Sequence, residues 1–211
     1  MKIIKTYCLT VASLLSILLF TSCNNKTENV KRDSKMAQSK AIMEPDSTIL
    51  VSIEKIYDDT IKVSTINEQR EYKFSVNEAK AEKNIFGSLT EGDALAITAY
   101  RKNYVMTSSI NITELTGLWM YGNAGQGFRL DKNGMAASIN MENITLKNWI
   151  IKNNKLIFTY AISHDPSEKG YEKNETIRIN ILSKERLNIT IDGKDYDCKK
   201  QGLLTAKDTK N

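Results

Sequence analysis

Cysteine and histidine side chains are the first candidates for chemistry in this sequence, and they are few. The chain has three cysteines, Cys8, Cys23 and Cys198, and one histidine, His164. His164 lies in the turn-rich segment SHDPSEKGYEK with no second histidine or cysteine nearby, which indicates a solvated loop. No nucleophile elbow, zinc-protease motif or phosphate loop occurs in the sequence. We therefore predict no enzyme, no metal ligand and no cofactor, although the 25 acidic residues leave open a carboxylate pair assembled by folding.

Cys23 follows a segment that indicates export. Lys2 and Lys5 form a basic start, and an apolar stretch over residues 9–20 is too short to span a bilayer comfortably. The pentapeptide Leu19-Phe20-Thr21-Ser22-Cys23 resembles the lipobox of bacterial lipoproteins, although Phe20 departs from the usual small aliphatic residue. This resemblance implies a signal peptide over residues 1–22 and acylation of the Cys23 thiol, with diacylglyceryl and palmitate chains that anchor the protein.

The lipobox also implies a location in the bacterial cell envelope. Asn24 stands where an aspartate favours retention in the inner membrane of some bacteria, so the outer membrane is expected. Whether the protein faces the periplasm or the cell surface stays open, with a preference for the periplasm. Residues 23–43 are polar and lack aromatic side chains, which predicts a flexible tether between the lipid and the folded part.

Net charge argues against nucleic acid as a partner. Loss of Lys2 and Lys5 with the signal peptide lowers the formal charge from +5 to +3, since 5 − 2 = 3. Basic residues are interspersed with acidic ones and form no concentrated patch.

Cys198 has no partner for a disulfide within the mature chain once Cys23 is acylated. Its alternation with Tyr196 predicts a buried structural thiol on a strand.

Residues 44–113 predict a small β domain. Short runs alternate apolar and polar side chains with period two, which is the pattern of half-buried strands. These runs begin near Ile49, Ile61, Tyr72, Leu95 and Tyr104. Helix-forming residues over 77–86 predict one helix that Gly87 ends. Three strands, a helix and two strands give the element order of an OB-fold, a five-stranded barrel.

Residues 114–200 predict a second all-β domain with eight strands, followed by a polar tail over 201–211. Turn residues, including Asn153-Asn154 and Asp192-Gly193, separate most of the strands. Eight short strands joined by tight turns are typical of an up-and-down antiparallel barrel. The predicted strands are 118–121, 127–130, 135–139, 146–151, 155–162, 175–182, 186–191 and 195–199.

The same segment resembles a known family. Gly117-Leu118-Trp119 has the Gly-x-Trp form found at the first strand of lipocalins. With the segments GFRLDKNGMAASI, NWIIKNNKLIFTY and LNITIDGKDYDCKK, residues 115–200 are similar to short bacterial lipocalin-like lipoproteins. The resemblance implies a lipocalin-like barrel on an envelope lipoprotein, with a packing role for Trp119 at the barrel base. It implies no established ligand or reaction.

Three aromatic residues are the candidates for ligand binding: Trp119, Trp149 and Tyr160. Large side chains on the alternating faces, from Leu156 through Ile191, favour a barrel filled by its own residues. In that case a ligand would lie at a mouth or between the domains.

Two functions remain open on this sequence. The first is a non-enzymatic, lipid-anchored protein that binds a small apolar or amphipathic ligand at its lipocalin-like domain. The second is an interaction or scaffold module that presents two β domains to an envelope protein.

Overall fold

The computed structural model describes residues 48–122, 125–163 and 170–202, all within one compact unit, Ile42–Asn211. The predicted signal peptide, Cys23, the tether, His164 and most of the tail lie outside the described residues. Within the described ranges, no helix is long and apolar enough to cross a membrane.

The N-terminal sheet is a small closed barrel with the strand order β3-β2-β1-β5-β6. β3 closes it by pairing in parallel with β6 at Ser75 and Val105. This is the order of an OB-fold and confirms the predicted fold class. The elements are β1 (Ile49–Ile56), β2 (Thr60–Thr65), β3 (Glu71–Ser75), α1 (Asn77–Ala81), β4 (Ile85–Phe86), β5 (Ala94–Tyr100) and β6 (Val105–Asn111).

Apolar side chains that alternate with polar ones along these strands form the first core. Side chains one position apart point to opposite faces of a strand, so every second apolar residue enters the barrel. Ala79 of α1 is fully buried against them. The cluster comprises Val51, Ile53, Ile61, Val63, Phe74, Val76, Ala79, Leu95, Ile97, Ala99 and Met106.

The helix predicted over 77–86 is too long. α1 ends at Ala81, and Lys83 has a positive φ of 55° that the helix cannot continue through. Ile85 and Phe86 instead form β4, which pairs in parallel with Ser109 and Ile110 of β6. Pairing with a distant strand therefore overrides the local helix propensity of this segment.

The C-terminal sheet has eight strands in the order β10-β11-β12-β13-β14-β7-β8-β9. A single bridge between Met135 and Asn148 links its two outer strands, so the barrel is nearly closed. A short helix, α2 (Ile112–Leu115), leads into it from β6. The strands are β7 (Gly117–Tyr121), β8 (Gln126–Leu130), β9 (Ala136–Ile139), β10 (Ile144–Lys152), β11 (Lys155–Ile162), β12 (Tyr171–Leu182), β13 (Arg186–Ile191) and β14 (Lys194–Lys200).

Tight turns fix the register of this sheet. Asn153 and Asn154 have φ values of 49° and 58°, and Asp192 and Gly193 have values of 49° and 73°. Two consecutive positive φ values are typical of the type I′ turn that joins adjacent antiparallel strands. The eight-stranded up-and-down architecture agrees with the prediction from the sequence.

Two details of the predicted second barrel are wrong. β12 begins at Tyr171, which pairs with Ile162, so the predicted loop Ser163–Lys173 is shorter. A β-bulge between Ile179 and Ile181 shifts the alternation of β12. Ile181, predicted to face the core, is consequently 39% exposed, and Leu182 is buried instead.

Candidate functional site

Trp119 lies at the centre of the second core. Its side chain is fully buried, and Nε1 donates a hydrogen bond to the backbone carbonyl of Leu115 at 2.8 Å. The ammonium group of Lys200 lies 5.0 Å from the centre of the indole ring, within the range of a cation–π contact. Trp119 therefore joins the first and last strands of the barrel, and neighbouring protein groups occupy its polar edge and one ring face.

Trp149 also points inward. Its side chain is 5% exposed, and Nε1 donates to the carbonyl oxygen of Asp131 at 2.9 Å. The backbone of Trp149 also donates to Gly134 across the seam between β9 and β10. These contacts help to hold the seam where regular strand pairing is missing.

Tyr160 is buried with its hydroxyl in a polar cluster at one end of the barrel. The hydroxyl donates a short hydrogen bond to Glu175, which also accepts from the backbone N–H of Asp192 at 2.7 Å. Lys173 bridges Glu175 and Asp192 at 3.2 and 2.9 Å. Burial, followed by the bond to Glu175, raises the pKa of Tyr160 to about 12.

The Glu175 carboxyl responds in the opposite direction. Burial by itself raises its pKa, but hydrogen bonds from Tyr160, Asp192 and Lys173 outweigh that effect and lower the pKa below 4.5. The carboxylate therefore stays ionised and acts as an acceptor at neutral pH. This arrangement joins β11 and β12 to the turn between β13 and β14.

Side chains fill the interior of the eight-stranded barrel. Phe128 and Phe158 meet edge to face with ring centroids 6.2 Å apart, and both are fully buried. The three predicted ligand-binding residues Trp119, Trp149 and Tyr160 are all part of this core, and each polar atom has a protein partner. These buried side chains pack against one another in the described part of the interior.

The five-stranded barrel has an open end. Three strands begin at this end, β1, β3 and β6, and the other two end at it, β2 and β5. This follows from the pairing, since neighbouring strands run antiparallel except for the parallel pair β3 and β6. β3 pairs with β6 only at Ser75 and Val105, so the seam widens beyond these two residues. α1 follows the opposite end of β3. We call the open end the mouth.

The mouth encloses about 410 Å³, which lies within the usual size of small-molecule sites. Phe74 forms its buried floor, and Tyr72 and Tyr104 form an aromatic wall. The three ring centroids are 5.9–6.2 Å apart. The full lining is Thr48, Ile49, Leu50, Thr65, Asn67, Glu68, Arg70, Tyr72, Phe74, Arg101 and Tyr104.

Tyr104 holds an unusual backbone conformation at this mouth. Its φ is 53°, in the left-handed region that a bulky side chain seldom adopts. Its carbonyl oxygen accepts a hydrogen bond from the N–H of Ser75 at 2.9 Å, which fixes the loop to β3. The ring is 48% exposed, so burial of the ring does not explain the strained backbone.

The rim of the mouth carries basic residues. Arg70 forms an ion pair with Glu68 at 3.1 Å, and both side chains are largely exposed. Such a pair contributes about 0–1 kcal/mol, so an incoming anion can compete for the guanidinium. Arg101 also lines the mouth.

Two other hollows fit a small ligand less well. A groove of about 250 Å³ at the junction of the barrels is apolar but smaller than most ligand sites. Its apolar lining is Phe86, Ile110, Leu156, Ile177 and Ile179. A hollow of about 600 Å³ near Lys184 is lined mainly by charged side chains and, unlike the mouth, by no aromatic residue.

The described residues offer little reactive chemistry. No group of three histidine, cysteine, aspartate or glutamate side chains that could hold a metal occurs in these ranges. Cys198 is fully buried, and burial raises the pKa of its thiol to about 12, so it stays protonated and unreactive.

The sequence of the second barrel matches a family. Residues 106–201 fit the sequence model of the lipocalin-like family. The eight-stranded barrel is lipocalin-like. A crystal structure of a lipocalin-like protein from Bacteroides thetaiotaomicron VPI-5482 is 25% identical, with a TM-score of 0.36, and the match covers 42% of this chain and 97% of that one. No curated protein sequence matches this chain.

Sequence reasoning did not identify the mouth as a site. Tyr57, Tyr72, Phe74 and Tyr104 stand out as aromatic residues, but their spacing resembles ordinary strand alternation. The lipocalin-like segment directs attention to Trp119, Trp149 and Tyr160, and the mouth lies in the other barrel.

Proposed function

We propose that this protein is a non-catalytic, lipid-anchored lipoprotein of the bacterial envelope that binds a small amphipathic molecule. The observation that carries the proposal is the mouth of the five-stranded barrel, with its aromatic wall and basic rim. A lipocalin-like fold agrees with binding of small ligands rather than catalysis. We assign the ligand to the mouth because the polar atoms of Trp119, Trp149 and Tyr160 in the other barrel already have protein partners.

The anchor rests on Cys23 and the lipobox-like residues before it. Several acyl chains on one cysteine hold a protein on a membrane for practical purposes, since each buried CH₂ contributes about 0.8 kcal/mol. Replacement Cys23→Ser should prevent acylation, and mass spectrometry of the wild-type N-terminal peptide should detect the lipid. A wild-type peptide without acyl chains would exclude the anchor. We place the protein in the outer membrane, facing the periplasm.

Photo-crosslinking tests the ligand site in the intact, membrane-bound protein. A fatty acid that carries a diazirine group should label peptides that contain Tyr72 or Tyr104. Tyr72→Ala should reduce this labelling several-fold, whereas Tyr171→Ala provides the matched control, because Tyr171 is 60% exposed on the other barrel. Labelling confined to the eight-stranded barrel, or equal in both variants, would remove the mouth as the site.

The alternative function is an interaction module for an envelope protein. The specific observation in its favour is an apolar patch on the outer face of the filled barrel. Ile150 pairs with Ile157 across β10 and β11, and Ile150 and nearby Met135 are each 55% exposed. Crosslinking in intact cells from Ile150 should capture one defined protein if this function holds, and only solvent-quenched monomer if it does not.

A further inference from the structure

We infer that a polar hollow between the two barrels binds a small hydroxylated ammonium compound. The hollow encloses about 380 Å³, within the usual size of small-molecule sites, and it shares no lining residue with the mouth. Its lining comes from β5 and β6, from α1 and from the turn between β10 and β11. Every described residue that lines it has a polar side chain, so the ligand differs in chemistry from the amphipathic molecule assigned to the mouth.

Two buried hydroxyl groups in this hollow lack a partner. Thr98 and Ser108 lie opposite each other on β5 and β6, and both line the hollow. Since Ile97 and Ala99 point into the first core, Thr98 and its cross-strand partner point out of that barrel. The two residues are 3% and 2% exposed, and neither hydroxyl forms a hydrogen bond with a described residue. A buried hydroxyl costs free energy unless it is bonded, so this pair points to a polar ligand.

A β-bulge shapes the sheet at the same place. Thr98 pairs with Ser108, whereas Ala99 pairs with Met106, so Thr107 is an extra residue in β6. Thr107 Oγ1 donates a hydrogen bond to the carbonyl of Thr98 at 3.0 Å, which holds the bulge against β5. Bulges redirect side chains and are frequent beside functional sites. The irregularity in β6 therefore coincides with the two hydroxyls that lack a partner.

Charge in the hollow favours a cation. Glu78 and Glu82 lie one helical turn apart at α1, and neither carboxylate forms an ion pair or a hydrogen bond with another described residue. Lys80, between them, instead donates to the carbonyl of Asp58 at 2.9 Å. Among the described residues that line the hollow none is basic, so the two glutamates give the lining a charge of −2. Hydrogen bonds from an ammonium group to carboxylates are about twice as strong as those between neutral groups.

The remaining lining selects a ligand that also carries hydroxyl groups. Asn84, Asn153 and Asn154 each offer an amide that donates and accepts, and a ligand hydroxyl can do both in return. The ring of Tyr100 adds an aromatic surface of the kind that attracts cations. Because Asn153 and Asn154 belong to the second barrel, a bound ligand would contact both barrels at once.

Three sugars of similar shape test the ligand class. Glucosamine, glucose and glucuronate present a cationic, a neutral and an anionic version of one hydroxylated ring. Calorimetric titration of the intact protein in mild detergent, at slightly acidic pH, measures the binding of each. We expect glucosamine to bind about ten-fold more tightly than glucose, because its ammonium group meets two carboxylates, and glucuronate to bind least. Equal binding of glucosamine and glucose, or no binding of glucosamine at millimolar concentration, would overturn the inference.

Single replacements locate the site. Glu78→Gln should weaken glucosamine binding several-fold and leave glucose binding unchanged, whereas Glu142→Gln, an exposed position on the second barrel, provides the matched control. Ser108→Ala removes a hydroxyl that has no partner in the protein, so it should weaken binding without lowering the urea midpoint. Glucosamine binding that is equal in Glu78→Gln and Glu142→Gln, or unchanged in Ser108→Ala, would exclude the hollow as the site.

Discussion

Lys200 Nζ donates a hydrogen bond of 2.7 Å to the backbone carbonyl of Glu114, although 86 residues separate them in sequence. Lys200 is the last residue of β14, and Glu114 belongs to α2 at the junction of the two barrels. The Glu114 carboxylate in turn accepts from the backbone N–H of Ser88 at 3.1 Å. One lysine therefore ties the end of the second barrel to the loop structure of the first.

Replacement Lys200→Met should lower the free energy of unfolding by about 1–3 kcal/mol, because it removes a charged hydrogen bond and a cation–π contact with Trp119. The apolar stem is retained. Urea denaturation followed by tryptophan fluorescence measures the change. Lys199→Met is the matched control, since Lys199 is exposed on the same strand. Equal effects of the two replacements would contradict the role of the junction contact.

Alanine replacements at Gly87 and Gly92 distinguish the cost of backbone strain from the cost of steric crowding. Their φ values are 86° and 87°, so alanine introduces a similar strain of about 1–2 kcal/mol at either position. A Cβ at Gly87 would lie 2.6 Å from Asn111 Cβ and 2.7 Å from Glu114 Oε2, whereas a Cβ at Gly92 would meet nothing within 4 Å. Gly87→Ala should therefore destabilise the protein by about 1–3 kcal/mol more than Gly92→Ala. Thermal unfolding of both variants checks the difference, and similar melting temperatures would refute it.

The cluster around Glu175 predicts two pH-dependent losses of stability. The pKa of Glu175 is lowered in the folded protein, so its contribution is present above pH 4.5 and is lost as the pH falls through the folded pKa. The pKa of Tyr160 is raised to about 12, so its contribution is complete below pH 10 and is lost as the pH rises towards 12. Urea midpoints measured across pH 3–6 and pH 9–12 are the appropriate test.

Single replacements assign these pH effects. Glu175→Gln should flatten the acidic limb, and Tyr160→Phe should flatten the alkaline limb. The pH dependence of stability in Asp197→Asn is compared with that in Glu175→Gln, since the Asp197 carboxylate pairs with Arg186 on the exposed face of the same barrel. An acidic limb that stays unchanged in Glu175→Gln would assign that loss to other carboxylates.

Replacement of Tyr104 should affect stability and ligand binding differently. Asparagine tolerates positive φ better than tyrosine, so Tyr104→Asn should relax the backbone by up to about 1 kcal/mol while removing the exposed ring. We expect an unchanged or slightly higher free energy of unfolding together with several-fold weaker labelling by the diazirine fatty acid. A variant that loses stability and keeps its labelling would show that Tyr104 serves packing alone.

The second barrel could be predicted because its turns are favoured by local sequence. Its strands follow one another through short turns, and residues such as Asp192-Gly193 favour those turns through their own backbone preferences. For this reason the predicted bounds of these strands agree with the structure to within two residues, except at the start of β12. Ile181 was misplaced because a bulge shifts one residue without a clear mark in the sequence.

Long-range pairing explains what the sequence did not reveal. Ile85 and Phe86 follow a helix-forming segment, and only their pairing with β6 makes them a strand. The mouth brings together Ile49 of β1, Tyr72 of β3 and Tyr104 of the turn before β6. No local pattern marks such a cavity, since it depends on where the β3–β6 seam stops.

Strand β6 contributes side chains to both cores. Met106 packs in the first core and Ile110 in the second, only four residues later. The lipocalin-like match begins at residue 106, inside this strand. If the lipocalin-like segment were transferred to another protein at that boundary, β6 would go with it. β6 is the strand that closes the five-stranded barrel. A graft that keeps both cores intact must therefore include both barrels.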